Sequence, residues 1–129
     1  MVKELRIALT VENFEEAVAF YRDTLGMEMV EMWNAPGANG VLLDAGRATL
    51  ELFDAGQAAA VDEIEVGRRV SGPVRFAIRV DDSAAVAEEL VRAGAQRENE
   101  PVEPPWGGVN VRVQAPDGMQ LTLFSAAHE

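Results

Sequence analysis

The sequence repeats itself at long range, and that repeat narrows the fold more than any other feature. "ELRIALTV" (Glu4 to Val11) and "PVRFAIRV" (Pro73 to Val80) share a pattern in which Arg6 falls on Arg75, Ala8 on Ala77 and Val11 on Val80, each 69 residues on. Gly26 falls on Gly94. Near the module ends "TLELF" falls on "QLTLF", with Leu50 on Leu121, Leu52 on Leu123 and Phe53 on Phe124. The small changes of offset are changes of loop length. Self-similarity at a fixed spacing marks a repeated supersecondary unit, each copy too small to bury its own apolar face.

The unit can be read from its periodicities. Leu5, Ile7, Leu9 and Val11 alternate with Arg6, Ala8 and Thr10, which predicts a strand with two unlike faces. "ENFEEAVAFYRDTLG" predicts a helix: Asn13 suits the N-cap, Glu15 and Glu16 the first turn, and Gly26 the C′ position. Phe14, Ala17, Val18, Tyr21 and Leu25 form its apolar stripe. Strands follow around "MEMVEMW", "GVLLDA" and "ATLELF", separated by the turn-forming "NAPGANG" and "DAGR". Residues 1–54 thus predict a βαβββ module. Residues 55–72 form a linker with a short helix near "AAAVDEIEVG", whose acidic run is simplest as a solvated helix end. Residues 73–129 repeat the module, with "DDSAAVAEELVRAG" as the helix and "AQRENEPVE", "GVNVRVQA" and "MQLTLFS" as strands. The fold class is α+β in a single domain. A four-stranded sheet with one covering helix leaves its other face bare, so two modules should pair as one curled mixed sheet around a shared cavity.

Charge and composition exclude several function classes. The formal net charge of −11, with eleven basic residues scattered among 22 acids, lacks the clustered cations that nucleic acid requires. No apolar run approaches the roughly 20 residues of a membrane-spanning helix, and the N-terminus lacks signal-peptide order. A cytoplasmic protein with no membrane partner is expected. The absence of cysteine leaves no disulfide framework, no thiolate metal site and no Cys-His nucleophile. "GANG" and "WGG" are turns without a phosphate-binding or dinucleotide fingerprint. Ten of the eleven basic residues are arginine, a usage that fits a bacterial genome of high GC content.

Two stretches carry a family resemblance. "IALTVENFEEAVAFYRDTLGMEMV" is similar to the opening strand, helix and "FYRDxLG" ending of the vicinal oxygen chelate superfamily. "PPWGGVNVRVQAPDGMQLTLF" is similar to its closing hairpin, with Ala115 departing from the "DPDG" turn. That superfamily includes glyoxalase I, extradiol dioxygenases, methylmalonyl-CoA epimerase and the bleomycin-resistance proteins. The resemblance implies metal ligands, typically His, Glu, His, Glu, on the first and last strands of each module. The matching positions here are Arg6, Glu51, Arg75 and Thr122, of which only Glu51 is a good ligand. A guanidinium offers no lone pair, and a single carboxylate does not hold a transition metal. The sole histidine, His128, belongs to the C-terminal tail. No metal and no other cofactor is expected, and the resemblance points to a metal-free member of the bleomycin-resistance type that binds a small molecule without transforming it. It also implies a homodimer.

Taken literally, the alternation puts Arg6, Ala8, Thr10, Thr49, Glu51, Phe53, Arg75, Ala77, Arg79, Gln120, Thr122 and Phe124 on the cavity side. Arg112 can join them, and Trp106 in "PPWGG" can wall one end. Counting Arg6, Arg75 and Arg79 against Glu51 predicts a positive pocket for an aromatic or anionic ligand, such as an antibiotic or a metabolite to be sequestered. Two alternatives stay open. In one, Glu51 is the general base of a metal-free lyase or isomerase, with Arg6 and Arg75 stabilising an oxyanion. In the other, the pocket is vestigial, the protein is an interaction module, and Arg6 and Glu51 are a structural ion pair.

Overall fold

The computed structural model describes residues 2–24 and 26–126. Eight strands form one sheet: β1 (Glu4–Thr10), β2 (Met29–Ala35), β3 (Ala38–Asp44), β4 (Thr49–Phe53), β5 (Val74–Arg79), β6 (Gln96–Arg97), β7 (Val109–Gln114) and β8 (Gln120–Ser125). Their order across the sheet is β2-β3-β4-β1-β5-β8-β7-β6. Each half therefore repeats the other. β1 runs parallel to β4, β5 runs parallel to β8, and the antiparallel pair β1–β5 joins the halves. The sheet curls without closing, as the tandem modules predict.

The outer face is apolar and covered by helices. α1 (Phe14–Val18) is capped by Asn13, whose side chain accepts from the Glu16 amide, and packs against Val41, Leu43, Leu50 and Leu52. α3 (Ser83–Arg92) is capped by Asp82 and packs through Ala87 on Val111, Val113 and Leu123. Leu43, Leu52, Val111 and Val113 are fully enclosed, and burying each such side chain is worth about 1.5–3 kcal/mol.

Three local expectations need correction. The first helix is α-helical only to Val18, and a π-helical turn (Ala19–Thr24) follows. That wider turn still carries Tyr21 onto the core, and its ring meets that of the exposed Phe20 edge-on at 5.2 Å. Leu25, the last member of the predicted stripe, and His128 lie outside the described residues. "AQRENEPVE" gives only the two-residue β6 and an isolated Val102–Asn110 bridge, because Pro101, Pro104 and Pro105 have no N–H to donate to a ladder.

The third correction concerns the linker. Its helix α2 (Ala55–Glu65) is longer than expected and lies across the concave face of the sheet. Asp54 caps it by accepting from the Gln57 amide and also holds Asn39 of β3 through main chain and side chain. Gly56 sits against the Gly37 carbonyl so closely that no Cβ would fit. Ala58 and Val61 then pack on Ala8 and Phe53. The acidic run is solvated only at Glu63: Asp62 is 1% and Glu65 2% exposed.

Candidate functional site

The cavity lies on the concave face, where the facing strands of both halves converge, and holds about 220 Å3. Arg6 of β1 and Arg75 of β5 stand on either side of the central seam. Each stacks on an aromatic ring of the opposite half. The Arg6 guanidinium lies 4.7 Å from the Phe124 ring centre, and that of Arg75 lies 5.7 Å from Phe53. Trp33 meets Phe53 edge-on at 6.3 Å, and Trp106, half exposed, walls the mouth. The loop of Trp106 is tight because Gly108, at φ 77°, lies against the Ser125 carbonyl with no room for a side chain.

Below the arginines the two halves differ. Glu51 of β4 is buried, and among the described residues nothing donates a hydrogen bond to its carboxylate. The nearest cation is Arg6, whose Nη1 is 3.8 Å from Glu51 Oε2. Arg6 gives its Nε hydrogen to Glu4 instead, at 2.9 Å. Burial pushes the Glu51 carboxyl upward from its ordinary value, against the pull of Arg75 and Arg6 and with the repulsion of Glu65 and Glu4 adding to the rise. Glu4 shifts the other way. Its burial is outweighed by hydrogen bonds from Arg6 and Thr49 and by the charges of Arg6 and Arg79.

At the equivalent point of the second half, Thr122 of β8 accepts from Arg75 Nη1 at 2.8 Å and donates to Glu65 Oε1 at 2.6 Å. Glu65 also takes hydrogen bonds from Asn110 Nδ2 and Arg112 Nε, both at 3.0 Å. Arg112, wholly enclosed, gives Nη1 to Asp62 at 2.9 Å, with further contacts to Ser71 and Gln120. Its Nη2 is 3.0 Å from Glu65 Oε1 but off the hydrogen-bonding direction. Asp62 accepts from Arg69, Val70, Ser71 and Arg112. Although burial alone would raise its pKa, these bonds hold it far below the usual carboxylate range.

The structure brings Arg6, Glu51, Phe53, Arg75, Trp106, Thr122 and Phe124 to the cavity wall, as well as Ala77. Six other residues expected there are elsewhere. Ala8 is covered by Ala58 and Val61 of α2. Thr10 lines only a sliver of about 10 Å3 left beneath α2. Thr49 turns to Glu4, donating at 2.8 Å. Arg79 ends its strand beyond the cavity and is exposed. Arg112 donates to Gln120 and is held by Asp62 and Glu65 of α2. The expected positive balance is overturned as well, since the wall carries Arg6 and Arg75 against Glu31, Glu51 and Glu65. Gln57, Val61, Glu65 and Asn110 are wall residues the alternation of the four key strands did not supply.

A metal does not fit the four equivalent positions. Two carry guanidiniums, and Thr122 already has its oxygen engaged by Arg75, Arg112 and Glu65. No three His, Cys, Asp or Glu side chains are grouped for a metal among the described residues.

A family model for the Glyoxalase/Bleomycin resistance protein/Dioxygenase superfamily matches residues 5–123. No curated protein matches the sequence. Among solved structures, a hypothetical protein from Bacillus halodurans C-125 superposes with a TM-score of 0.73 at 20% identity, covering 99% of this chain and 96% of that one. A Streptomyces coelicolor methylmalonyl-CoA epimerase in complex with 2-nitronate-propionyl-CoA gives 0.71 at 20% identity, covering 99% and 100%. The epimerase from Mycobacterium tuberculosis gives 0.65 at 19%, covering 98% and 88%. At these identities the likeness is one of fold. With the family model spanning both halves of the sheet, the chain belongs to the glyoxalase/bleomycin resistance protein/dioxygenase superfamily.

Proposed function

We propose that the protein binds a small, flat molecule in this cavity without a metal, through aromatic faces and one polar edge. The observation that carries the reading is Glu51: a buried carboxylate, open to the cavity and short of a hydrogen-bond donor, between two guanidiniums. A buried polar group without a partner costs about 1–3 kcal/mol, and a ligand hydroxyl or N–H would remove that cost. An oxygen on the same ligand edge would face Arg6 and Arg75. The volume is below the roughly 300–1,000 Å3 of pockets for drug-sized ligands, and Glu31 at the wall disfavours a phosphate-bearing tail, so a substituted phenol or enol fits best. The reading places the protein in the cytoplasm as a homodimer that sequesters an antibiotic or metabolite. Support for the dimer is the edge strand β2, which exposes Val30 and Met32.

Salicylate, which joins a phenol to a carboxylate on one ring, is a suitable probe. Titration of the chelator-stripped protein should quench the fluorescence of Trp33 and Trp106, both at the cavity wall, saturably, and Arg6→Met should weaken binding about tenfold, the loss of one charge-assisted contact. Unchanged affinity in that variant would sink the reading. Tight stoichiometric uptake of Zn or Mn by the same preparation would overturn its metal-free part.

A second reading is favoured by the raised Glu51 carboxyl, since a general base works best with a pKa near the working pH. Glu51 would take a proton from carbon next to a carbonyl, with Arg6 and Arg75 facing the enolate oxygen, and would return it. The epimerases that share the fold make proton exchange the reaction to assay. Glu51→Gln separates the two: turnover lost with affinity kept identifies the enzyme.

A further inference from the structure

We propose that Glu65, on the linker helix, is the positioning residue for Arg75, acting through the hydroxyl of Thr122. The proposal deepens the binding reading, on which the ligand-facing role of Arg75 rests. The geometry leaves the hydroxyl one polarity. A guanidinium can only donate and a carboxylate can only accept. Thr122 Oγ1 therefore takes Arg75 Nη1 at 2.8 Å and Arg112 Nε at 3.1 Å with its lone pairs and sends its hydrogen to Glu65 at 2.6 Å. With every valence of that oxygen used, the Arg75 guanidinium is fixed over the Phe53 ring.

Arg6 has no such fixture. Its side chain is 20% exposed and its partner Glu4 is on its own strand. The second arginine is thus held from a helix 47 to 57 residues away in sequence from β7 and β8. Glu65 is itself held. Arg112 bridges it to Asp62, and Asp62 gathers the loop after α2 through Arg69, Val70 and Ser71. Docking of α2 and the pose of Arg75 are one mechanical unit, so a change on the far side of this cluster should reach the cavity.

Thr122→Val removes the hydroxyl and keeps the shape. Two readouts follow, one of them free of ligand. The charged groups facing Glu51 are Arg75 from β5, Arg6 and Glu4 from β1, and Glu65 from α2. Freed from Thr122, Arg75 should pull less strongly on Glu51, and the Glu51 carboxyl 13C titration midpoint should rise. Salicylate affinity should fall about tenfold. Thr122→Ser should restore both. Glu65→Gln, which can still accept from Thr122, should retain salicylate affinity within about threefold, whereas Glu65→Ala should lose it about tenfold as Thr122→Val does; the Glu51 midpoint is compared only in the Thr122 variants, because removing the Glu65 charge lowers it directly. If Glu65→Ala does not fold, the Thr122 pair decides alone. An unmoved Glu51 midpoint in Thr122→Val overturns the proposal. A midpoint that moves while the wild type ignores salicylate upholds the positioning role and counts against the binding reading.

Discussion

The two halves of the cavity carry the same arginine and the same phenylalanine, and they differ in what lies beneath. Under Arg75 the hydroxyl and both acids are tied, from Thr122 through Glu65 and Arg112 to Asp62, and only Arg112 Nη2 lacks a hydrogen-bond acceptor among the described residues. Under Arg6 the equivalent residue is Glu51, which among the described residues accepts no hydrogen bond and has only a long contact to Arg6. Internal symmetry supplied both halves with a cation on an aromatic face, and α2 then closed one half. Burial acts on Glu51 and Asp62 in the same direction, and only the partners differ. Satisfaction of hydrogen bonds therefore separates the scaffold of this cavity from its open face.

The largest effect should come from dismantling the tied half. Arg112→Met leaves Asp62 and Glu65 buried against an apolar side chain, and removing one partner of a buried ionic cluster costs about 3–5 kcal/mol. Urea unfolding at pH 7 measures it. A loss under about 1 kcal/mol would mean that α2 can lift away and hydrate its acids. Changing the open half should do the opposite. Because the folded-state value of Glu51 lies above its ordinary 4.5, its contribution to stability is full below that pH and is lost as pH rises through the folded value. Glu51→Gln should therefore be more stable than the wild type at pH 8 and should flatten the decline that the wild type shows on raising the pH. Thermal unfolding of both proteins from pH 4 to 9 tests the sign. Arg79→Ala, outside both halves on an exposed strand end, should change stability by less than about 0.5 kcal/mol and leave salicylate affinity unaltered. A tenfold loss there would put Arg79 back in the cavity.

The strands and the arginines could be read from the sequence because alternation assigns faces by parity, and a repeat doubles every such assignment. Parity says which side a residue faces and not how far along the strand the cavity reaches. Arg79 and Thr10 share the parity of Arg75 and Arg6 and still miss the cavity, one at the exposed end of β5 and one under α2. The linker helix was expected, but its burial was missed for another reason. Asp62 and Glu65 looked like a solvated end because charge outweighed position, yet Ala58, Val61, Asp62 and Glu65 form one i, i+3, i+4, i+7 stripe. A carboxylate on the inward stripe of a helix needs a buried cation, and Arg112, alternating with Val111 and Val113, was the one available. That pairing spans 50 residues and leaves no mark in any local window.

Asp54 has a consequence for how the molecule opens. The same carboxylate starts α2 and holds both the main chain and side chain of Asn39, and Gly56 rests on the Gly37 turn. The first turn of the helix and the tip of the β2–β3 hairpin are therefore one cooperative unit. Neither can fray alone, and the amides of Asn39 and Gln57 should share a single opening free energy in hydrogen exchange. Access to the cavity from that side is then a collective event, a property of the local unfolding equilibrium and not of any one side chain.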